Sequence, residues 1–308
     1  MSEEILYVIT PIFNPEGSEI RYKLYRDFKA YMATFSNVVL ITIELAQGDK
    51  PFVVTTPYDP WNIQVRSNDV LWWKENLINV ALKWLYERIG SGKVAWIDGD
   101  MVFTNEKWVD DTLRLLNDYK FVQMFDTCDS LGPDNEVIQS GNSFVYRWIH
   151  GIDSPKNRGR SGGAWASCLD VLESIGWLID WDVVGASDWY TVFGLTNQAC
   201  QTVTPCRAKN ERWMERVREI VNGNIYYVDG TLVHFFHGWP SDRGYGTRGR
   251  ILIDNEFDPD SDIGYLPNGL LHFTSDKPQL RFDLIEHFKS KNTHGADDIR
   301  KADGTTTD

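Results

Sequence analysis

Apolar residues in this chain fall into short dense runs separated by longer amphipathic stretches. ILYVIT, Ile5 to Thr10, is almost unbroken apolar sequence and runs into a loop, PIFNPEG. That pattern predicts a strand buried on both faces. Residues 18 to 35 carry apolar side chains at helical spacing. NVVLITIEL (Asn37 to Leu45) reads as a second buried strand and FVVTT (Phe52 to Thr56) as a short third. Over Asp69 to Ile89, the residues Leu71, Leu77, Ile78, Ala81, Leu82 and Leu85 share one helical face, and Ser91-Gly92 closes the helix. VAWID, Val94 to Asp98, returns to strand. Trp108 to Tyr119 predicts a helix and FVQMF, Phe121 to Phe125, another strand.

Strands and helices alternating at this spacing predict a layered α/β fold with a mainly parallel sheet. In such sheets, ligands sit outside the carboxyl ends of the strands. The second half is less regular. Ser161 to Trp177 reads as a loop opening a helix, Glu211 to Val221 as a helix, and TLVHFFHG (Thr231 to Gly238) as a strand running into a turn. No repeat or linker divides the chain, so residues 1–291 are expected to form one domain. The Gly-, Asp- and Thr-rich tail, 292–308, is expected to be disordered.

Composition narrows the function. The net charge of -13 over 308 residues lacks the basic footprint of a nucleic-acid binder. Cys128, Cys168, Cys200 and Cys206 have neither metal-type nor framework spacing and read as reduced thiols. The acidic start, MSEEILYVIT, is not a signal peptide, and no apolar run reaches the ~20 residues of a membrane helix. A cytoplasmic protein is expected.

Four stretches carry candidate chemistry. Asp98-Gly99-Asp100 puts two carboxylates at the end of a buried strand, where they repel each other and lose hydration. A divalent cation such as Mg²⁺ or Mn²⁺ relieves both penalties; a solvated Asp-Gly turn is the plain alternative. His234 and His237 stand three apart before Gly238-Trp239-Pro240. In a straight strand they face opposite sides, so both reach one ion only if the chain bends. Asp188 in GASDWY reads either as a general base or as a helix cap. SGGAWA, Ser161 to Ala166, lets backbone approach a ligand at Gly163, while Trp165 offers a flat face to a sugar or base. DPDSDIG, Asp258 to Gly264, lacks the glycine and glutamate of a calcium loop and reads as an exposed acidic turn.

Taken in order, these stretches resemble a metal-dependent glycosyltransferase of the GT-A fold, a Rossmann-like layered α/β/α arrangement. Over residues 5 to 240 they look like the beta-1,4-galactosyltransferase group. TPIFNP (Thr10 to Pro15) is similar to that group's Pro-Phe-Arg-Asn-Arg loop without its arginines. WWKENLINVA (Trp72 to Ala81) is similar to its Phe-Asn-Arg-Ala-Lys-Leu-Leu-Asn-Val-Gly helix. IDGD matches its Asp-Val-Asp, and GGAWA its Gly-Gly-Val-Ser-Ala. WDVVGASDW falls on its Trp-Gly-Trp-Gly-Gly-Glu-Asp-Asp-Asp with one acid in place of four, and HFFH falls on its Met-x-x-His. The set also resembles glycosyltransferase-like proteins of phages and bacteria, which would place the protein in a host cytoplasm.

The resemblance implies a nucleotide-sugar donor, with UDP as the nucleotide, and a hydroxyl acceptor on a glycan, small molecule, protein or modified DNA base. It implies Mn²⁺ or Mg²⁺ on Asp100, His234 and His237. Donor contacts would come from Pro11, Phe13, Asn14, Lys74, Asn79, Asp98, Gly163 and Trp165. Asp188 would be the base of an inverting reaction, with Asp180 and Asp182 as substitutes and Trp189 stacking on a ring. Arg243, Arg248 and Arg250 would belong to a mobile loop, and with Arg158 and Arg160 would form the basic groove a DNA acceptor needs. A catalytically inactive GT-A scaffold that binds a sugar is the third reading.

Overall fold

The computed structural model describes residues 4–152, 158–200, 204–239 and 247–290. The expected tail therefore lies outside the described residues, as does Arg243. In chain order the elements begin β1 (Leu6–Phe13), α1 (Glu19–Met32), β2 (Val38–Gln47), β3 (Asn62–Ser67), α2 (Lys74–Ile89), β4 (Lys93–Ile97), β5 (Met101–Phe103) and α3 (Trp108–Leu115). They continue β6 (Phe121–Gln123), β7 (Thr127–Leu131), β8 (Val137–Asn142), α4 (Phe144–Ile149), β9 (Ala164–Cys168), α5 (Leu169–Ser174), α6 (Ser187–Leu195) and α7 (Arg207–Val221). The last are β10 (Ile225–Tyr227), β11 (Thr231–His234), α8 (Arg248–Asp254), β12 (Ile263–Tyr265), β13 (Leu271–Phe273) and α9 (Pro278–Ser290).

Seven strands form the central sheet in the order β10-β6-β9-β4-β1-β2-β3. All neighbours are parallel except β9, which runs antiparallel between β4 and β6. This is the mixed α/β architecture with a mainly parallel sheet that the sequence predicts. The inner strands are mainly apolar because each face is covered, whereas the edge strand β3 carries Asn62, Gln64 and Arg66. On β4, Val94 and Trp96 pack into a core with α2, α5, α6 and α7, while Ala95 and Ile97 pack with α1 and α3. A second, four-stranded sheet, β5-β11-β7-β8, grows from the carboxyl end of the first.

Four predicted elements are corrected. Phe52–Thr56 is not a strand. The amides of Val53, Val54 and Thr55 all donate to the buried Glu44 carboxylate, at 2.7 to 3.3 Å, so none is left for a ladder. The third strand is Asn62–Ser67. The helix expected from Asp69 starts at Lys74, because Asp69 accepts from Phe273 and pairs with Arg281 while the Trp72 amide donates to Val183. In the GGAWA segment the two glycines stay in the loop, but Ala164 to Cys168 is a strand that bonds β4 on one side and β6 on the other. The acidic turn at Asp258 is not wholly exposed. Asp262 is buried, accepts the Asp258 amide and pairs with Lys277 at 2.7 Å.

Candidate functional site

The site begins where β4 ends. Gly99 packs closely here, since a Cβ would sit 3.2 Å from the Thr10 side chain and 3.5 Å from both Ile12 and Tyr25. The backbone swings past β1 and sends the two flanking carboxylates to different partners. Asp98 takes Lys74, the first residue of α2, at 2.6 Å. Asp100 takes the two histidines.

Topology explains the second meeting. β5 starts just after Asp100 and pairs antiparallel with β11, opposing His234 to Met101, and the Phe235 amide donates to the Asp100 carbonyl at 3.0 Å. The strand ends at His234, and Gly238 adopts φ +127° in the turn that follows. That bend brings both rings to one point: His234 Nε2 lies 3.1 Å from His237 Nε2, and Asp100 Oδ2 lies 3.0 Å from His237 Nε2 and 3.7 Å from His234 Nε2. One donor atom from each of the three side chains falls within 4.8 Å of the others. Asp100 Oδ1 is buried with no hydrogen-bond partner. Two imidazole nitrogens and a carboxylate with an unused oxygen are a donor set that suits Mn²⁺ or Zn²⁺ better than Mg²⁺, which prefers oxygen ligands.

Electrostatics separates the two aspartates. Burial alone would raise the Asp100 carboxyl, but His234 and His237 hold it well below the usual carboxylate range. Burial raises Asp98, against the pull of Lys74 and with the push of Asp100. Lys74 is lowered by burial, yet Asp98 and its neighbours carry it above the usual lysine value.

Asp188 lies in the first turn of α6, not at its cap, which is Ala186. Its Oδ2 accepts from the Ser161 hydroxyl at 3.1 Å, and a Cβ on Gly162 would meet that oxygen at 2.7 Å. Its charge acts on Lys74, Glu75 and Asp182, which places it on the same side as the Lys74–Asp98 pair. Pro11 and Phe13 lie at the carboxyl end of β1, with Phe13 edge-on to Trp72 at 5.4 Å. Gly163, at φ +110°, backs onto Leu232 and Met101, and its carbonyl accepts the Asp98 amide.

Several expected site residues are held elsewhere. Trp165 is 4% exposed, stands opposite Trp96 in the sheet, and spends its indole N–H on Ser161. It presents no face to a ligand. Asn79 is buried, and its amide bonds Leu178 and Asp180. Asn14 folds its own loop through Ser18. Asp180 is consumed by Asn76, Asn79 and Tyr265. Asp182 is buried, which lifts its carboxyl to about 6 against the opposing charge of Arg248. Trp189 packs on Phe144 and Phe193. Of the expected groove arginines, Arg158 lies over Phe193, Arg160 bonds Ser130, and Arg250 pairs with Asp254. All four cysteines are free thiols.

Two features escaped sequence reading. Glu75, next to Lys74, receives the Trp72 indole N–H at 2.8 Å, and desolvation lifts its carboxyl to about 7 with Asp188 adding to the rise and Lys74 opposing it. An acid between two tryptophans and an amphipathic helix was the only available signal. Asp100 also lines a cavity of about 390 Å³ walled by Leu24, Phe28, Met101, Pro133, Phe235 and Phe236. No helix among the described residues is long and apolar enough to cross a membrane.

No protein-family model matches the chain, and no curated protein matches it in sequence. Solved structures resemble it at low identity. One is S. aureus TarS 1-349 in complex with UDP-GlcNAc, 11% identical with a TM-score of 0.43 over 76% of this chain. This chain spans 59% of that one. Mannosyl-3-phosphoglycerate synthase from Rubrobacter xylanophilus is 12% identical with a TM-score of 0.41, over 91% of this chain and 89% of that one. A putative glucose-1-phosphate thymidylyltransferase from Bacillus anthracis, in complex with a sucrose, is 10% identical with a TM-score of 0.37, over 75% and 89%. At such scores the functional reading rests on the residues themselves.

Proposed function

We propose that this chain is a metal-dependent glycosyltransferase of the GT-A type, moving a sugar from a nucleotide-sugar, with UDP as the nucleotide, to an acceptor hydroxyl. One observation carries the reading. Asp100, His234 and His237 converge at a strand's carboxyl end, with Asp100 Oδ1 unpartnered, beside a lysine–aspartate pair. These three side chains would hold Mn²⁺ or Mg²⁺. Bound there, the ion would neutralise charge developing on a diphosphate leaving group.

The remaining roles belong to the chain's own residues. Lys74 brings a permanent cation to the mouth of the site, and Asp98 holds its ammonium in place. Pro11 and Phe13 wall the nucleotide side. Ser161 and Gly162 fix the Asp188 carboxylate. Asp188 accepts the proton of the acceptor hydroxyl as that oxygen bonds to the anomeric carbon. The bond from that carbon to the diphosphate breaks on the opposite face, so the configuration inverts. Asn79 and Trp165 support the site through the core and are assigned no donor contact.

Calorimetric titration of UDP, GDP, CMP and UDP-sugars, with and without Mn²⁺, tests the reading. Metal-dependent binding of one nucleotide by the native chain, lost in Asp100→Ala and His237→Ala, is the expected result. No binding by any nucleotide, with or without Mn²⁺, would overturn it.

A further inference from the structure

The bend that gathers the two histidines also places the residues between them. Phe235 and Phe236, which stand between His234 and His237 in the chain, line a cavity of about 390 Å³ that Asp100 also borders. Ile20 and Leu24 enter it from α1, Met101 from β5, and Pro133 from the turn between β7 and β8. The cavity therefore shares one residue with the metal triad and extends away from it between largely apolar walls. Its volume lies within the range of small-molecule pockets, roughly 300–1,000 Å³.

The walls are held from outside the cavity. The Phe235 amide donates to the Asp100 carbonyl at 3.0 Å, and the Phe236 ring packs edge-on to Trp239 at 5.2 Å. The Gly132 amide closes the β7–β8 turn on the Glu136 carbonyl at 2.8 Å. The chemistry of these walls then selects among the reactants of a transfer. Sugar hydroxyls buried against aliphatic and phenyl side chains lose water without gaining partners. A diphosphate finds no unpaired ammonium among the described lining residues, because Lys23 is exposed and pairs with Asp27 at 2.7 Å, and Lys74 does not line the cavity. An uncharged flat ring needs no polar partner and gains apolar burial against Phe235 and Phe236.

We propose that this cavity is an apolar subsite for the acceptor, taking an uncharged aryl group and leaving the acceptor hydroxyl outside it at the Asp100 end. That the ligand is an acceptor rests on the transferase reading above; that the cavity takes an aryl group does not. Ile20 and Leu24, one helical turn apart on α1, set how large a ring enters.

The test is a ligand-observed NMR titration of the full chain with phenyl β-D-glucoside and with methyl β-D-glucoside, both without nucleotide, beside a titration of UDP with Mn²⁺. The phenyl compound should bind about tenfold or more tightly than the methyl one, because only its ring enters the cavity. Leu24→Trp fills the cavity from a half-buried helix position and should remove that preference while UDP affinity changes less than about twofold. If Leu24→Trp does not fold, Ile20→Trp fills the same space from one turn earlier. Equal binding of the two glucosides by the native chain overturns the proposal, and so does a preference that survives the folded variant. Loss of UDP binding in the folded variant would make the cavity a nucleoside compartment and overturn the acceptor assignment. Absence of nucleotide binding by the native chain would overturn the transferase reading and leave the phenyl preference standing. A missing preference beside intact nucleotide binding would overturn this proposal alone.

Discussion

If Asp100, His234 and His237 hold a divalent ion, that ion must stabilise the folded chain, because the unfolded chain cannot bring three donors so far apart in sequence within 4.8 Å. The perturbation is Mn²⁺ or Mg²⁺ added at a hundredfold excess over its Kd. Mass action then contributes about 2.7 kcal/mol. A chain of 308 residues unfolds with an entropy of about 0.65 kcal/mol per kelvin, so Tm rises by about 4 °C. Asp100→Asn keeps the shape but removes the anionic donor. Loss of one of three ligands should exceed the roughly 10–100-fold that outer-shell partners cost. At the same ion concentration the stabilisation then falls to about 0.4 kcal/mol, which is less than about 1 °C. Scanning calorimetry of the native chain, Asp100→Asn and His237→Ala, each with metal or with a chelator, reads the difference directly. Equal rises in all three proteins would place the ion elsewhere, and no rise in the native chain with either ion would remove the metal from the site.

Two further outcomes follow from buried side chains. Burial lifts Asp182 to about 6, so between about pH 4 and 6 the folded chain keeps a proton that the unfolded chain has released. Native stability therefore falls as pH rises through that window. Asp182→Asn removes this slope, and its unfolding free energy relative to native should gain on the order of 2–3 kcal/mol from pH 4 to 6.5; parallel curves would refute the assignment. Trp165→Phe, which loses the indole bond to Ser161 in the core, should cost about 1–2 kcal/mol of stability while changing nucleotide affinity less than about twofold. A tenfold loss of affinity in a folded Trp165→Phe protein would return that residue to the donor site.

How much was legible in the sequence varied with the kind of residue. Buried strands were readable because a parallel sheet covered on both faces demands continuous apolar runs, as at Ile5 to Thr10 and Val94 to Ile97. The short FVVTT run misled because β-branched composition does not say where amides go. Here they go to Glu44, which lies nine to eleven residues earlier in the chain. GGAWA looked like a ligand loop because adjacent glycines suggest turns. Only the sheet shows that the backbone from Ala164 onward lies between two strands.

The sequence by itself determined the alternation of strands and helices, the carboxylates at the end of β4, and the histidine pair before a glycine turn. Those are local features, set by hydrophobic period and residue type. Tertiary structure decided which of them meet. The antiparallel pairing of β5 with β11 joins Asp100 to His234 and His237 across more than a hundred residues. The same packing withdraws Trp165 and Asn79 into the core. No spacing rule encodes such meetings, because strand order and burial arise from the whole chain burying its apolar surface at once.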